Sequence, residues 1–129
     1  MDYCGGLTDD VAEILLGGPM MGGCQPDLEA PVIKGTTGIV ALTHAETKPR
    51  ESYPCIKCGR CLDACPVFLN PQGLGALAQA GRYEAMEQSG LLDCMLCGCC
   101  SYVCPSNIPL SQLFALGKAG LRRQKAQAA

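Results

Sequence analysis

The chain has 129 residues, a formal net charge of −2, 16 glycines, 9 prolines, 11 cysteines, no tryptophan and only 5% aromatic residues. One ordinary domain or two small ones fit that length, but large core-fillers are scarce, so cohesion must come partly from a covalent or metal framework. The charge excludes a general attraction to nucleic acid, and no uninterrupted apolar run approaches the roughly 20 residues of a membrane span.

In chain order, Ala12–Leu16, Pro31–Lys34 and Gly38–Thr43 are short aliphatic or β-branched runs bounded by glycine and proline, and they predict three short strands. Between the first two lies Gly17-Gly18-Pro19-Met20-Met21-Gly22-Gly23, too glycine-rich for a helix and read as a loop. The polar, proline-flanked stretch 48–54 reads as a linker. The expected fold class is therefore α+β: a β-rich segment over 1–48, then a mainly helical domain over 49–129. Leu74, Leu77, Ala78 and Gly81 predict one helix face, and Tyr83, Met86 and Gly90 a second short helix, with Gly81 and Gly90 as stops. Beyond Pro109, Leu110, Leu113, Phe114, Gly117 and Leu121 form one stripe, which reads as plain core packing. Lys118, Arg122, Arg123 and Lys125 complement the negative C-terminal end of that helix and read as a solvated helix end.

Two cysteine runs bracket the helical middle: Cys55-x2-Cys58-x2-Cys61-x3-Cys65-Pro66 and Cys94-x2-Cys97-x2-Cys100-x3-Cys104-Pro105. The opening residues show no basic region followed by an apolar core, so no secretory signal is visible. Cysteine clusters in a reducing, cytoplasmic setting point to metal rather than disulfides, and an odd cysteine count fits a closed disulfide set poorly. This spacing is the bacterial two-cluster ferredoxin run, whose fourth cysteine ligates the other cluster. Three thiolates three residues apart wrap three corners of a cubane, and the fourth swings away before its proline. The expected cofactors are two [4Fe–4S] clusters, one on Cys55, Cys58, Cys61 and Cys104, the other on Cys94, Cys97, Cys100 and Cys65. Backbone N–H groups at Gly59 and Gly98 can approach cluster sulfur with no Cβ in the way. Structural zinc is the competing reading, but it favours cysteines in pairs.

Cys99 would break the register of the first run as a ligand, so Cys100 is preferred and Cys99 is expected to be a small buried residue. Cys4 and Cys24 read as isolated free thiols, and His44, at a strand end, has no nearby ligand partners. Gly73-Leu74-Gly75-Ala76-Leu77-Ala78 matches a dinucleotide fingerprint, but that motif needs a strand before its turn. Here Cys65-Pro66 and Pro71 precede it. No acid, base or nucleophile stands out as catalytic, so the chain reads as the electron-carrying portion of an oxidoreductase rather than as a catalyst alone.

The loop Gly17-Gly18-Pro19-Met20-Met21-Gly22, the stretch Pro31-Val32-Ile33-Lys34-Gly35-Thr36-Thr37-Gly38, the run Cys55-Ile56-Lys57-Cys58-Gly59-Arg60-Cys61 and the stretch from Cys97 to Pro109 together resemble the C subunit of the Rnf electron-transport complex. The resemblance covers nearly the whole chain. It implies a partial β-grasp-like segment ahead of the two-cluster domain, in a peripheral subunit on the cytoplasmic side of a membrane-bound, ion-translocating ferredoxin/NAD oxidoreductase. The implied partners are the other subunits, a flavin- and NADH-bearing protein or N-terminal domain, and a ferredoxin-like electron partner. In the family a flavin- and NADH-binding domain precedes these segments, and its absence here suggests a C-terminal portion, a split subunit or a truncated frame. A related cobalamin reductase is an alternative with similar motifs, and a metal-stapled interaction module is an alternative of another class.

Overall fold

The computed structural model describes residues 5–48 and 50–128, and Cys4 lies outside them. The chain divides into two compact units, Met1–Arg50 and Glu51–Ala129.

The first unit is a three-stranded antiparallel sheet in the order β2-β1-β3, built from β1 (Val11–Leu16), β2 (Gly23–Cys24) and β3 (Ile39–Thr43). β1 is the centre: Leu15 pairs with Cys24 on one side and Val40 on the other. Its Ile14 and Leu15 are the buried residues of the sheet, on alternate faces because side chains alternate along a strand. The glycine-rich loop closes on itself through Gly22 N–H donating to Gly18 O at 2.7 Å. A Cβ on Gly22 would stand 2.6 Å from that oxygen, so the turn requires glycine there.

The sequence expectation needs one correction in this unit. Pro31–Lys34 is not a strand. Val32 and Ile33 are exposed, Pro31 has no N–H to give a ladder, and Thr36 N–H turns back onto Ile33 O at 2.9 Å. The third strand is instead Gly23–Cys24, at the end of the glycine loop, recruited by tertiary pairing with Leu15 and Leu16 and invisible to local propensity.

The second unit is helical, with α1 (Arg60–Asp63), α2 (Pro71–Gln79), α3 (Tyr83–Gln88), a 3₁₀ turn (Leu91–Asp93), α4 (Cys99–Tyr102) and α5 (Leu110–Ala128). α2 starts where Asn70 accepts a hydrogen bond from Gly73 N–H at 2.9 Å, with Pro71 in the first turn, a strong N-terminal signal. Gly81 and Gly90 follow α2 and α3 with φ of 67° and 83°, in the left-handed region that ends helices. Residues 66–70, ahead of Gly73, form no strand, which removes the dinucleotide-binding context. Leu74, Met86, Leu91 and Phe114 are buried almost completely and form one core with Leu110 and Leu121. The α5 stripe is therefore core, and Gly117 lets the helix approach Met86 and Leu91 closely.

The stretch expected to be a linker is in part an anchored strap. Tyr53 N–H donates to Ser106 O at 2.9 Å, Ser106 Oγ donates to Pro54 O at 3.0 Å, and Asn107 Nδ2 donates to Glu51 O at 3.2 Å. The chain entering the first cysteine run is thus tied to the turn that follows the last cysteine.

Candidate metal centres

Each cysteine run folds as a loop that ends in one helical turn. Gly59 (φ 80°) precedes α1 and Gly98 (φ 81°) precedes α4, both left-handed. Lys57 and Leu96 share a φ of 56°. Cys61 and Cys100 therefore sit in the first turn of a short helix, facing back toward their loops. After each turn the backbone closes identically, with Cys65 N–H on Leu62 O and Cys104 N–H on Ser101 O, both at 3.2 Å. The repeat runs at a constant interval: Cys55 to Cys94, Lys57 to Leu96, Gly59 to Gly98, Cys65 to Cys104 and Phe68 to Asn107 are each 39 residues apart.

Two cavities result. One, of about 240 Å³, is lined by Cys55, Cys58, Cys61 and Cys104, with Gln72 and Gln79 in its wall. The other, tighter at about 20 Å³, is lined by Cys94, Cys97, Cys100 and Cys65, with Phe114 and Leu69 in its wall. The wall residues obey the same interval: Gln72 and Gly75 of the first cavity correspond to Ser111 and Phe114 of the second. Exchanging Gly75 for a phenyl ring is a direct reason for the difference in volume. The thiols stand around these cavities rather than converging, and among the described residues no three metal-binding side chains meet closely enough to hold a single ion.

Burial pushes the Cys61 thiol up, and the neighbouring Cys104, Cys55 and Cys58 add to the shift. Burial likewise pushes Cys100 up to about 11, with Cys94 and Cys97 contributing. Crowded, desolvated thiols resist becoming anions until a cation holds them, so metal binding releases protons. Leu69 N–H donates to Cys65 Sγ at 3.3 Å and Leu96 N–H to Cys94 Sγ at 3.4 Å, so backbone dipoles already point at sulfur in the second site. Four thiols, apolar walls and amide donors are the environment of an iron–sulfur cubane, and the residues fit that group.

The remaining cysteines and the histidine stand apart from these cavities or beside them. Cys24 is exposed on β2 of the first unit, and His44 lies in the turn after β3. Cys99, the first residue of α4, is not fully buried, contrary to expectation, and its neighbour Cys97 pushes its thiol pKa up. Lys118 does not belong with the solvated basic tail, because its Nζ donates to Leu92 O and Cys94 O at 3.2 and 2.5 Å. Sequence reasoning misses it, although extending the 39-residue interval beyond the cysteines would align it with Gln79. Lys125 does lie on the exposed helix end, paired with Glu87 at 2.6 Å.

The 4Fe-4S dicluster domain family matches residues 51–108. The C subunit of the proton-translocating ferredoxin:NAD(+) oxidoreductase complex of Clostridium ljungdahlii is 46% identical over 94 residues, covering 72% of this chain and 21% of that protein. The C subunit of the ion-translocating oxidoreductase complex of Rhodobacter capsulatus is 49% identical over 90 residues, 70% of this chain and 17% of that one. The corresponding protein of Pseudomonas aeruginosa is 44% identical over 122 residues, 93% of this chain and 16% of its own length. The chain thus spans about a fifth of the length of the curated relatives it matches.

Proposed function

We propose that the chain, similar over about 70% of its length to part of the C subunit of Rnf-type ion-translocating oxidoreductase complexes, acts in such a complex as a relay for single electrons. The observation that carries this reading is the gathering of four thiols around each of two cavities, three from one loop and one from the other.

Cys55, Cys58, Cys61 and Cys104 would hold one [4Fe–4S] cluster, and Cys94, Cys97, Cys100 and Cys65 the other. The bound clusters supply reversible one-electron storage, and the protein supplies binding, orientation and electrostatics. Cys65 and Cys104 each belong by sequence to one loop and by space to the other's cavity, so ligation staples the unit across its length. Leu69 and Leu96 amides stabilise charge on sulfur. Phe114 and Leu69 line the second site with apolar surface, while Cys55 and Cys58 of the first are exposed. Residues 1–48 would then be a partial β-grasp-like segment that precedes, in sequence, a dicluster domain at 49–129.

Among the described residues no helix is long and apolar enough to cross a membrane; the position proposed for the chain, from the resemblance to the C subunit, is peripheral and on the cytoplasmic side. Its partners would be the other subunits, a flavin- and NADH-bearing protein or domain, and a ferredoxin-like carrier. Anaerobic reconstitution should yield about eight iron and eight sulfide per chain, with a broad visible absorption that bleaches on reduction. A folded chain holding stoichiometric zinc and no iron would overturn the reading.

A further inference from the structure

The second cavity has a lysine anchored on the backbone of its own cysteine run, whereas the lysine of the first cavity, Lys57, lies within the run and is replaced by Leu96 in the second. Lys118 reaches from the middle of α5 to the 3₁₀ turn and places its ammonium on the carbonyl of Cys94, at 2.5 Å, and on that of Leu92, at 3.2 Å. Among the described residues it is the only lysine hydrogen-bonded to the backbone of either cysteine run. Its counterpart in the 39-residue repeat is Gln79, a neutral residue in the wall of the first cavity. Two sites with matching loops and turns thus carry positive charge at different places, Lys57 in the wall of the first and Lys118 on the Cys94 carbonyl of the second. Close packing of α5 fixes the reach of this side chain: a Cβ on its neighbour Gly117 would stand 2.8 Å from Met86 and 3.2 Å from Leu91.

We propose that Lys118 is a positioning residue that raises the reduction potential of the second cluster above the value its apolar cavity would otherwise give. The proposal rests on the cluster reading above. A reduced cluster carries one more negative charge than an oxidised one, so a fixed cation beside it favours reduction. Charge, hydrogen bonds and exposure are the levers that set such potentials. Phe114 and Leu69 give the second cavity an apolar lining, which disfavours the extra charge. Lys118 opposes that penalty, and low polarity strengthens its effect. Through the Cys94 carbonyl it also fixes the peptide that carries the site's first thiol.

The test uses the full chain, reconstituted anaerobically, with iron and sulfide assayed before an EPR-monitored redox titration. Lys118→Gln keeps a hydrogen-bond donor and removes the charge, copying the residue at the equivalent place in the first site. Its iron content should match the wild type, and one of the two reduction steps should move to more negative potential while the other stays. Lys118→Arg should restore the original position. Gln79→Lys, which adds a charge at the equivalent place in the first site, should move the other step to more positive potential. It keeps the question decidable if Lys118→Gln fails to fold. Unchanged steps in both charge variants at full iron content, or a positive shift in Lys118→Gln, would overturn the proposal. A wild-type chain that takes up far fewer than eight iron would instead overturn the cluster reading beneath it.

Discussion

Phe68 sits at φ 54° with its side chain 92% exposed, two features that rarely coincide in a bulky residue. The left-handed conformation costs an ordinary residue roughly 1–2 kcal/mol, and asparagine tolerates it better because its short amide bonds locally. The counterpart, Asn107, occupies the same turn at φ 50°. Phe68 N–H bonds Cys65 O at 3.2 Å, as Asn107 N–H bonds Cys104 O at 3.1 Å. Phe68→Asn therefore relieves backbone strain and gives up almost no buried surface. The expected gain is about 1 kcal/mol, or a rise in Tm of about 4–8 °C for a unit of this size, read by circular dichroism on the reconstituted chain at matched iron content. Phe68→Ala, which keeps the strain, should change Tm little. A loss of stability of about 1 kcal/mol or more in Phe68→Asn would refute the reasoning, since it would mean the phenyl ring makes contacts this geometry does not contain.

Cys65→Ser should deplete the cluster of Cys94, Cys97 and Cys100 and spare that of its sequence neighbours, read as the loss of one reduced-cluster EPR signal. Loss of the signal assigned to Cys55, Cys58 and Cys61 would invert the grouping. Gly117→Ala adds helix propensity worth about 1 kcal/mol, but its methyl would meet Met86 Cε at 2.8 Å and Leu91 Cδ2 at 3.2 Å. Both neighbours are fully buried, so an overpacking cost of roughly 1–3 kcal/mol should win and lower the denaturation midpoint. A raised midpoint would show that the flexible Met86 gives way.

The helical unit is largely legible in the sequence because its signals are local. Asn70-Pro71, Gly81 and Gly90 mark helix ends through fixed dihedral requirements, and the α5 stripe states its buried face by period. Cysteine spacing foretells which thiols gather, since three residues of separation close a loop and the fourth must leave it. The sheet is less legible. Gly23–Cys24 has no strand propensity and pairs only because β1 offers an edge, whereas Val32 and Ile33 have the propensity but no partner. The Tyr53–Pro54 strap depends on Ser106 and Asn107, more than fifty residues away, and no local signal marks such a contact. Lys118 looks like one more tail cation because charge at a helix end reads as solvated unless a carbonyl is known to lie in reach.

The repeated backbone explains why such unlike residues recur in one conformation. Lys57 and Leu96 share a left-handed φ, as do Phe68 and Asn107, although a cation, two apolar residues and an amide have no common preference for it. A local cause would have placed glycine or asparagine at all four positions. What the pairs share is location: one follows the first cysteine of a run by two residues, the other follows the fourth by three. Turning the backbone there aims the thiols and the following amides inward, so the demand comes from the cavity and not from the side chain at the turn. That demand frees the side chains to differ, and the differences at Lys57 and Leu96, Gly75 and Phe114, and Gln79 and Lys118 are where two sites of one geometry acquire different polarity.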